Sequence, residues 1–548
     1  MQNGDFTVTG KERVLKAMRR EKVDRVPWVP FVGCHAGALL GKTATEYLKS
    51  SELIVQGINE AVKLYRPDGL PVVFDLQVEA EVLGCDLSWA DDNPPAVCSH
   101  PLANGTKLSD LQVPGADVGR IKTSLDAAKK ARAAQPDIAL YGLITGPFTL
   151  ALHLLGTDIF MKMFDDAEFV HELLGFCTEV GKAMSGYYIE AGCDVIGVVD
   201  PMTSQIGAEQ FKQFISPYAT AVFEHIREKG ALGSFFVCGH AQQNIEVMAD
   251  CKCDNISIDE NIPLDFVRDK CEEKGISFGG NMQLTSVLLL GTVTDSQKNA
   301  IACIEIGGEV GFILAPGCDL PYATPVENLA GIIAVVEDVE KREAVKLMAN
   351  GTDASEKLDL AEYGKADKVI VDIITLDSEA CAPCQYMVDA VRRIAPEFEG
   401  IVEWREHKIK YRESLVFMTS LMVRNVPTIC IDGEIKFVSR IPPKDELISA
   451  IQQRINEKMR MRIRSKKATI YILHNGCDEA QELKERCLQA VAELGEEVDV
   501  QLVDDADIVR TYGLTVSQLP AVVLAKHQLK AVRKVPEKDI IKEWLKDL

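Results

Sequence analysis

A cationic surplus is missing from this sequence: 60 Lys and Arg face 82 Asp and Glu, a formal charge of −22 over 548 residues. Such a surface repels phosphate backbones and anionic lipid, so neither nucleic acid nor a membrane surface is an expected partner. No apolar run approaches the roughly 20 residues that span a bilayer. The opening Met1-Gln2-Asn3-Gly4-Asp5 has neither the basic nor the apolar region of a signal peptide. A soluble, cytoplasmic protein is the expectation. Two motifs are absent as well. No G-x-G-x-x-G follows the first strand-like run, which removes support for a dinucleotide fold. No second C-x-x-C accompanies Cys381-Ala382-Pro383-Cys384, so a four-cysteine zinc knuckle is excluded.

What is present is a long globular composition, 47% hydrophobic and 26% charged. At roughly 150 residues per domain the chain holds several units, or one barrel with additions. Apolar or β-branched runs occur at 26–32, 70–75, 138–145, 194–200, 234–238, 255–259, 276–280 and 311–315. Stretches of helical period lie between them, such as 166–190, 207–229 and 296–306. Strand and helix alternating in this way over about 300 residues predict an α/β fold of the (β/α)8 barrel type. A closing helix is expected over 328–348. The barrel is placed at residues 1–345, a polar linker at 346–367, and two smaller α/β units at 368–457 and 458–548. The basic run 458–467 between the two units reads as a solvated helix end.

Sixteen cysteines in a chain of this size do not form a secreted disulfide framework. Most are expected to be buried small hydrophobes, with a minority doing metal or redox chemistry. Cys381 and Cys384 follow an apolar strand and open a helix, where free N–H groups and the helix dipole lower a thiol's pKa. Val426-Pro427-Thr428 resembles the cis-proline turn that faces the active dithiol in the thioredoxin family. The second small unit is similar, with Gln518-Leu519-Pro520 in that place. Its C-x-x-C motif has decayed, with Cys477 followed three residues later by Ala480. The pair of units resembles the tandem thioredoxin folds of protein disulfide oxidoreductases, with only the first half intact.

In a (β/α)8 barrel, chemistry sits at the carboxyl ends of the strands. Those ends carry Cys34, His35, Asp75, Asp200, Cys238, His240, Asp259, Glu260, Asn281 and Cys318. Thiol and imidazole donors in one mouth suggest a metal. Several segments resemble the uroporphyrinogen decarboxylase superfamily: 11–15 with 23–27, Gly146-Pro147-Phe148-Thr149, 190–194, and Ala315-Pro316-Gly317-Cys318 followed by 324–328. The resemblance spans about residues 8–340. In its decarboxylase branch an arginine-rich N-terminal loop holds the substrate carboxylates, whereas Pro27–Gly37 here has no arginine. Asp75 matches that branch's acidic position.

The other branch comprises cobamide-dependent methyltransferases, whose His-x-Cys and distant Pro-Gly-Cys bind zinc. Cys238 and Cys318 match the two cysteines, while Phe236 stands at the histidine's place. If extended chain continues through Gly239, His240 points the same way as Cys238 and supplies the imidazole. The resemblance therefore implies a methyltransferase using zinc held by Cys238, His240 and Cys318, with Asp75 and Glu260 orienting the acceptor. Its methyl donor would be a methylated corrinoid on a corrinoid protein, its acceptor a thiol or folate, and a homodimer is compatible with it. The dithiol Cys381/Cys384 would reduce a disulfide on the barrel, the substrate or a partner. The alternatives are a uroporphyrinogen-type decarboxylase using Asp75, or a metal-free corrinoid-binding or redox adaptor.

Overall fold

A computed structural model describes residues 8–348, 363, 368–379, 381–423, 425–465, 468–494, 498–512, 514–524 and 528–545. Its contacts divide the chain into two compact units, Met1–Ile451 and Gln452–Leu548. Most of the expected linker lies outside the described residues, as do the side chains of most of the basic run.

Seven strands form one curled, wholly parallel sheet in chain order. They are β1 (Gly69–Pro71), β2 (Ala139–Thr145), β3 (Val195–Val199), β4 (Leu232–Val237), β5 (Asn255–Ile258), β6 (Ser277–Met282) and β7 (Phe312–Pro316). β2 through β7 are buried along nearly their whole length, as parallel strands covered on both faces must be. The two edges meet through the first apolar run. Leu314 N–H donates to the Pro27 carbonyl, Val29 N–H donates to the Leu314 carbonyl, and Asp68 N–H donates to the Trp28 carbonyl. This run makes only a single bridge, Trp28 with Leu314, rather than a full strand. Pro27 and Pro30 lack the N–H groups a ladder needs. The architecture is compatible with a (β/α)8 barrel.

The helices fall where the apolar period places them, with informative breaks. Ala167–Glu190 is continuous and starts at Asp166, whose carboxylate accepts the Phe169 N–H. The stretch 207–229 is two helices, Ala208–Phe214 and Ser216–Glu228, because Pro217 cannot donate into a continuing helix. The expected closing helix is three short ones, Val326–Ala330, Ile332–Glu337 and Val339–Lys346. Gly331 falls at the first break, and Asp338 leaves helical geometry at the second to cap the next helix.

The remainder of the first unit is a four-stranded sheet of β8 (Val369–Thr375), β9 (Val402–Lys408), β10 (Thr428–Ile431) and β11 (Glu434–Val438). Its order is β9-β8-β10-β11, with β8 and β9 parallel and the other pairs antiparallel. Helix Ala382–Ile394 connects β8 to β9, and the peptide bond before Pro427 is cis. In the second unit β12 (Ala468–Leu473), β13 (Val498–Val503), β14 (Ala521–Leu524) and β15 (Gln528–Val532) repeat that order and those senses, with a cis bond before Pro520. Cys477 precedes helix Asp478–Leu494, whose Ala480 is buried. No helix among the described residues is long and apolar enough to cross a membrane.

Candidate functional site

Parallel strands closed into a ring deliver their carboxyl ends to one face. Cys238 follows the last residue of β4, and Cys318 follows β7 after Gly317. Their sulfurs lie 2.8 Å apart across 80 residues of sequence. The Cys238 thiol is pushed well above its ordinary pKa, first by the hydrogen bond it shares with Cys318 and then by burial. Beneath the pair lie three edge-on rings. Phe236 stands 5.2 Å from Phe31 and 5.8 Å from Phe74, centroid to centroid, so this position forms apolar barrel interior.

Two buried carboxylates stand behind the turns that carry the thiols. Asp259 Oδ2 accepts the Gly239 N–H at 2.9 Å, and Oδ1 accepts the Asn261 N–H at 2.9 Å. Burial raises its pKa, and its charge in turn raises both Cys238 and Cys318. Glu260 is raised well above the usual carboxylate range, by burial first and then by repulsion from Asp259. Its Oε1 accepts the Leu284 N–H at 3.4 Å, while its buried Oε2 has no hydrogen-bond partner among the described residues. Glu260 fits only because residue 317 is glycine. A Cβ there would stand 2.3 Å from Oε2 and 2.6 Å from the Glu260 backbone nitrogen, which cannot yield. Gly317→Ala should therefore cost about 1–3 kcal/mol of stability and displace Cys318. A short bifunctional thiol-alkylating cross-linker should then join Cys238 to Cys318 in lower yield; wild-type yield and melting temperature together would contradict this packing.

Other strand-end residues are committed to structure. Asp75 Oδ1 accepts the Gln77 N–H at 2.9 Å, and its Oδ2 is ion-paired with Arg120, which also holds Glu81 at 2.6 Å. His35 hydrogen-bonds through both ring nitrogens, to the Tyr65 hydroxyl at 2.7 Å and the Tyr322 carbonyl at 3.0 Å. Asp200 accepts from the Phe148 N–H, the Thr149 N–H and the Thr149 hydroxyl, and burial pushes its pKa up to about 6. The Asn281 side-chain amide donates to the Asp259 and Ile262 carbonyls, pinning the loop that carries the two carboxylates.

The strand argument for His240 is corrected by the structure. β4 stops at Val237, and Gly239 has φ +79°, a left-handed value that ends the extended alternation. Among the described residues no three His, Cys, Asp or Glu side chains form a group that could hold a metal ion. The donors fit zinc in kind: two thiols converge, and the buried His240 Nδ1 has no hydrogen-bond partner among the described residues.

The C-terminal sheet of the first unit sits against this mouth. Asp377, just beyond β8, accepts from the Asn93 amide at 2.8 Å and pairs with Lys410 at 2.6 Å and Lys408 at 2.8 Å. Lys410 also reaches Asp92 at 3.1 Å. The Gln385 amide donates to the Val97 carbonyl at 2.6 Å, and Ile441 N–H donates to Gln205 Oε1 at 3.0 Å. A partly open cavity of about 140 Å³ lies between Cys34, Phe74, Cys238 and Cys318 on one side and Cys381, Pro383 and Lys410 on the other. Cys381 caps the helix Ala382–Ile394, yet its thiol is raised well above its ordinary pKa rather than lowered. Its side-chain hydrogen bond with Cys384 and its burial outweigh the Cys384 backbone N–H, which alone would lower it. Cys384 is fully buried behind it.

Arg120, Asp319, Asp92, Asn93 and Lys410 escaped the sequence reading. Asp319 accepts the Gly33 N–H at 2.8 Å and lines the cavity beside Cys318. Its adjacency to Cys318 was the one available signal; the others reach the site from segments with no motif.

The chain is 28% identical over 340 residues to the methylcobamide:CoM methyltransferase MtbA of Methanosarcina acetivorans, covering 59% of this chain and 96% of that one. It is 25% identical over 344 residues to a uroporphyrinogen decarboxylase of Anaeromyxobacter dehalogenans, covering 59% and 97%. A solved methyltransferase from Methanosarcina mazei superposes with TM-score 0.56 at 25% identity, over 61% of this chain and 99% of that one. The uroporphyrinogen decarboxylase (URO-D) family model matches residues 9–339, well over half of the chain. On that match the chain belongs to the uroporphyrinogen decarboxylase family.

Proposed function

We propose that the chain is a corrinoid-dependent methyltransferase with a (β/α)8 barrel at residues 1–345 and a fused dithiol module of thioredoxin-like design at 368–457. A second, degenerate copy of that module occupies 458–548. The observation that carries this reading is the convergence of Cys238 and Cys318 at 2.8 Å in a barrel similar to methylcobamide:CoM methyltransferases. Two soft sulfur donors select zinc over the hard cations, and His240 is the third donor we assign after a local rearrangement of its turn. When bound, zinc would lower the pKa of an acceptor thiol.

The chain's own groups do the rest. The cavity's apolar walls, Phe74, Leu320 and Leu376 among them, exclude water around the acceptor sulfur. Glu260, whose buried Oε2 stands behind Gly317 rather than on the cavity wall, is assigned to positioning the Gly317–Cys318 turn. The acceptor sulfur bonds to the methyl carbon as the carbon–cobalt bond breaks, both electrons staying on cobalt. The donor is a methylated corrinoid presented by a corrinoid protein. The acceptor is a thiol, or a folate in the broader reading. A cavity of about 140 Å³ admits a small acceptor but falls below the roughly 300 Å³ at which pockets for larger ligands begin. The corrinoid therefore reaches the thiols only when the dithiol module moves aside.

The decarboxylase reading needs an available acidic group and cationic clamps. Asp75 is instead tied to Arg120 and the Gln77 N–H, and Pro27–Gly37 has no arginine. Side-by-side assays decide. Purified protein should consume methylcobalamin in the presence of a thiol and leave uroporphyrinogen unchanged. Steady formation of coproporphyrinogen would overturn the proposal.

A further inference from the structure

We propose that the barrel's Cys238/Cys318 pair is itself the substrate of the fused dithiol: Cys381 and Cys384 reduce a disulfide formed between these two residues. The inference deepens the reading above, on which its purpose rests, because oxidised sulfurs can neither hold a metal nor assist a thiol acceptor.

Three observations support it. Cys238 and Cys318 are in sulfur–sulfur contact at 2.8 Å, so a modest closing to the roughly 2.05 Å of a disulfide makes the bond. Cys381 faces the same cavity as both, close enough that its charge is felt at Cys238. Cys384 lies behind Cys381 in the resolving position, fully buried and away from the cavity. The contacts of Asp377, Asn93 and Lys410 hold this arrangement in place.

The step balances as follows. A peroxide or a small disulfide oxidises the barrel pair by two electrons. Cys381 gives up its proton and, as thiolate, attacks one sulfur of the Cys238–Cys318 bond, which breaks, and the departing sulfur takes up that proton. Cys384 then loses its proton and attacks the Cys381 sulfur. The mixed disulfide breaks, the second barrel sulfur is protonated, and a Cys381–Cys384 disulfide remains. Two electrons and two protons have passed to the barrel, and an external dithiol resets the donor. Tethering supplies an effective concentration in the millimolar range, so transfer should run roughly a hundredfold faster than with an equal concentration of free dithiol.

The trap is the full-length Cys384→Ser protein, oxidised briefly with diamide and mapped by mass spectrometry without reduction. Resolution is blocked, so a Cys381–Cys238 or Cys381–Cys318 link should dominate, independent of protein concentration. In wild type the barrel disulfide should give way to Cys381–Cys384 with no added thiol. A persistent Cys238–Cys318 disulfide beside a free Cys381, or a link from Cys381 to Cys34, would overturn the proposal. Methylcobalamin consumption by the same preparation, fully reduced, reports separately on the methyl-transfer reading.

Discussion

Cys238→Ser and Cys318→Ser proteins are expected to retain the barrel fold, lose bound zinc and lose thiol-dependent consumption of methylcobalamin. The fall should exceed the roughly 10–100-fold that losing an outer partner of a metal ligand costs, because each variant removes a donor itself. Unfolding is not expected. A Ser hydroxyl is smaller than the thiol, Cys318 is only half-buried, and neither residue carries a ladder hydrogen bond of the seven-stranded sheet. Elemental analysis should find about one zinc per wild-type chain and none in either variant. Stoichiometric metal in both would remove the cysteine pair from the account.

The second large effect concerns the contact that brings the dithiol to the mouth. Asp377 is 5% exposed and joins Lys408, Lys410 and the Asn93 amide. Asp377→Ala leaves each lysine one remaining acid, Glu379 for Lys408 and Asp92 for Lys410, both at 3.1 Å. The cost should therefore be about 2 kcal/mol, below the roughly 3–5 kcal/mol of breaking a wholly buried pair. Backbone amides around 93–97 and 381–385 should exchange faster while β4 stays protected; an unchanged pattern would show that the ion pairs do not hold the module.

The pH dependence follows from the same group. Burial alone would raise the Asp377 pKa, but hydrogen bonds from Lys408 and Lys410 prevail and hold it below its ordinary value. A depressed carboxylate contributes stability above its unfolded pKa and loses it as pH falls through the folded one. The contact should thus be constant near neutrality and open only in acid, below the ordinary carboxylate range.

Much of the fold was legible because burial on both faces writes parallel strands as continuous apolar runs. Seven of the eight runs became strands within a few residues of their expected ends. The first did not, since Pro27 and Pro30 interrupt its ladder. Breaks at Pro217, Gly331 and Asp338 were missed because an apolar period continues across them. In the site, Cys238 and Cys318 could be named from the family resemblance, but their distance could not. The His240 argument failed at Gly239, where a single positive φ ends the alternation on which it relied. Arg120 meets Asp75 across 45 residues and Lys410 meets Asp92 across 318, so neither pairing leaves a local trace. The docking of a C-terminal dithiol on the barrel mouth is likewise a property of tertiary structure alone.

The most direct test of the central claim follows the methyl group itself. Reduced wild-type protein is incubated with methylcobalamin carrying an isotopically labelled methyl, together with a mixture of small thiols and a folate. The account predicts labelled methyl on a thiol sulfur, with demethylated cobalamin formed in equal amount and neither product in the Cys318→Ser protein. Label remaining on cobalt, or moving at the same rate without Cys318, would contradict it.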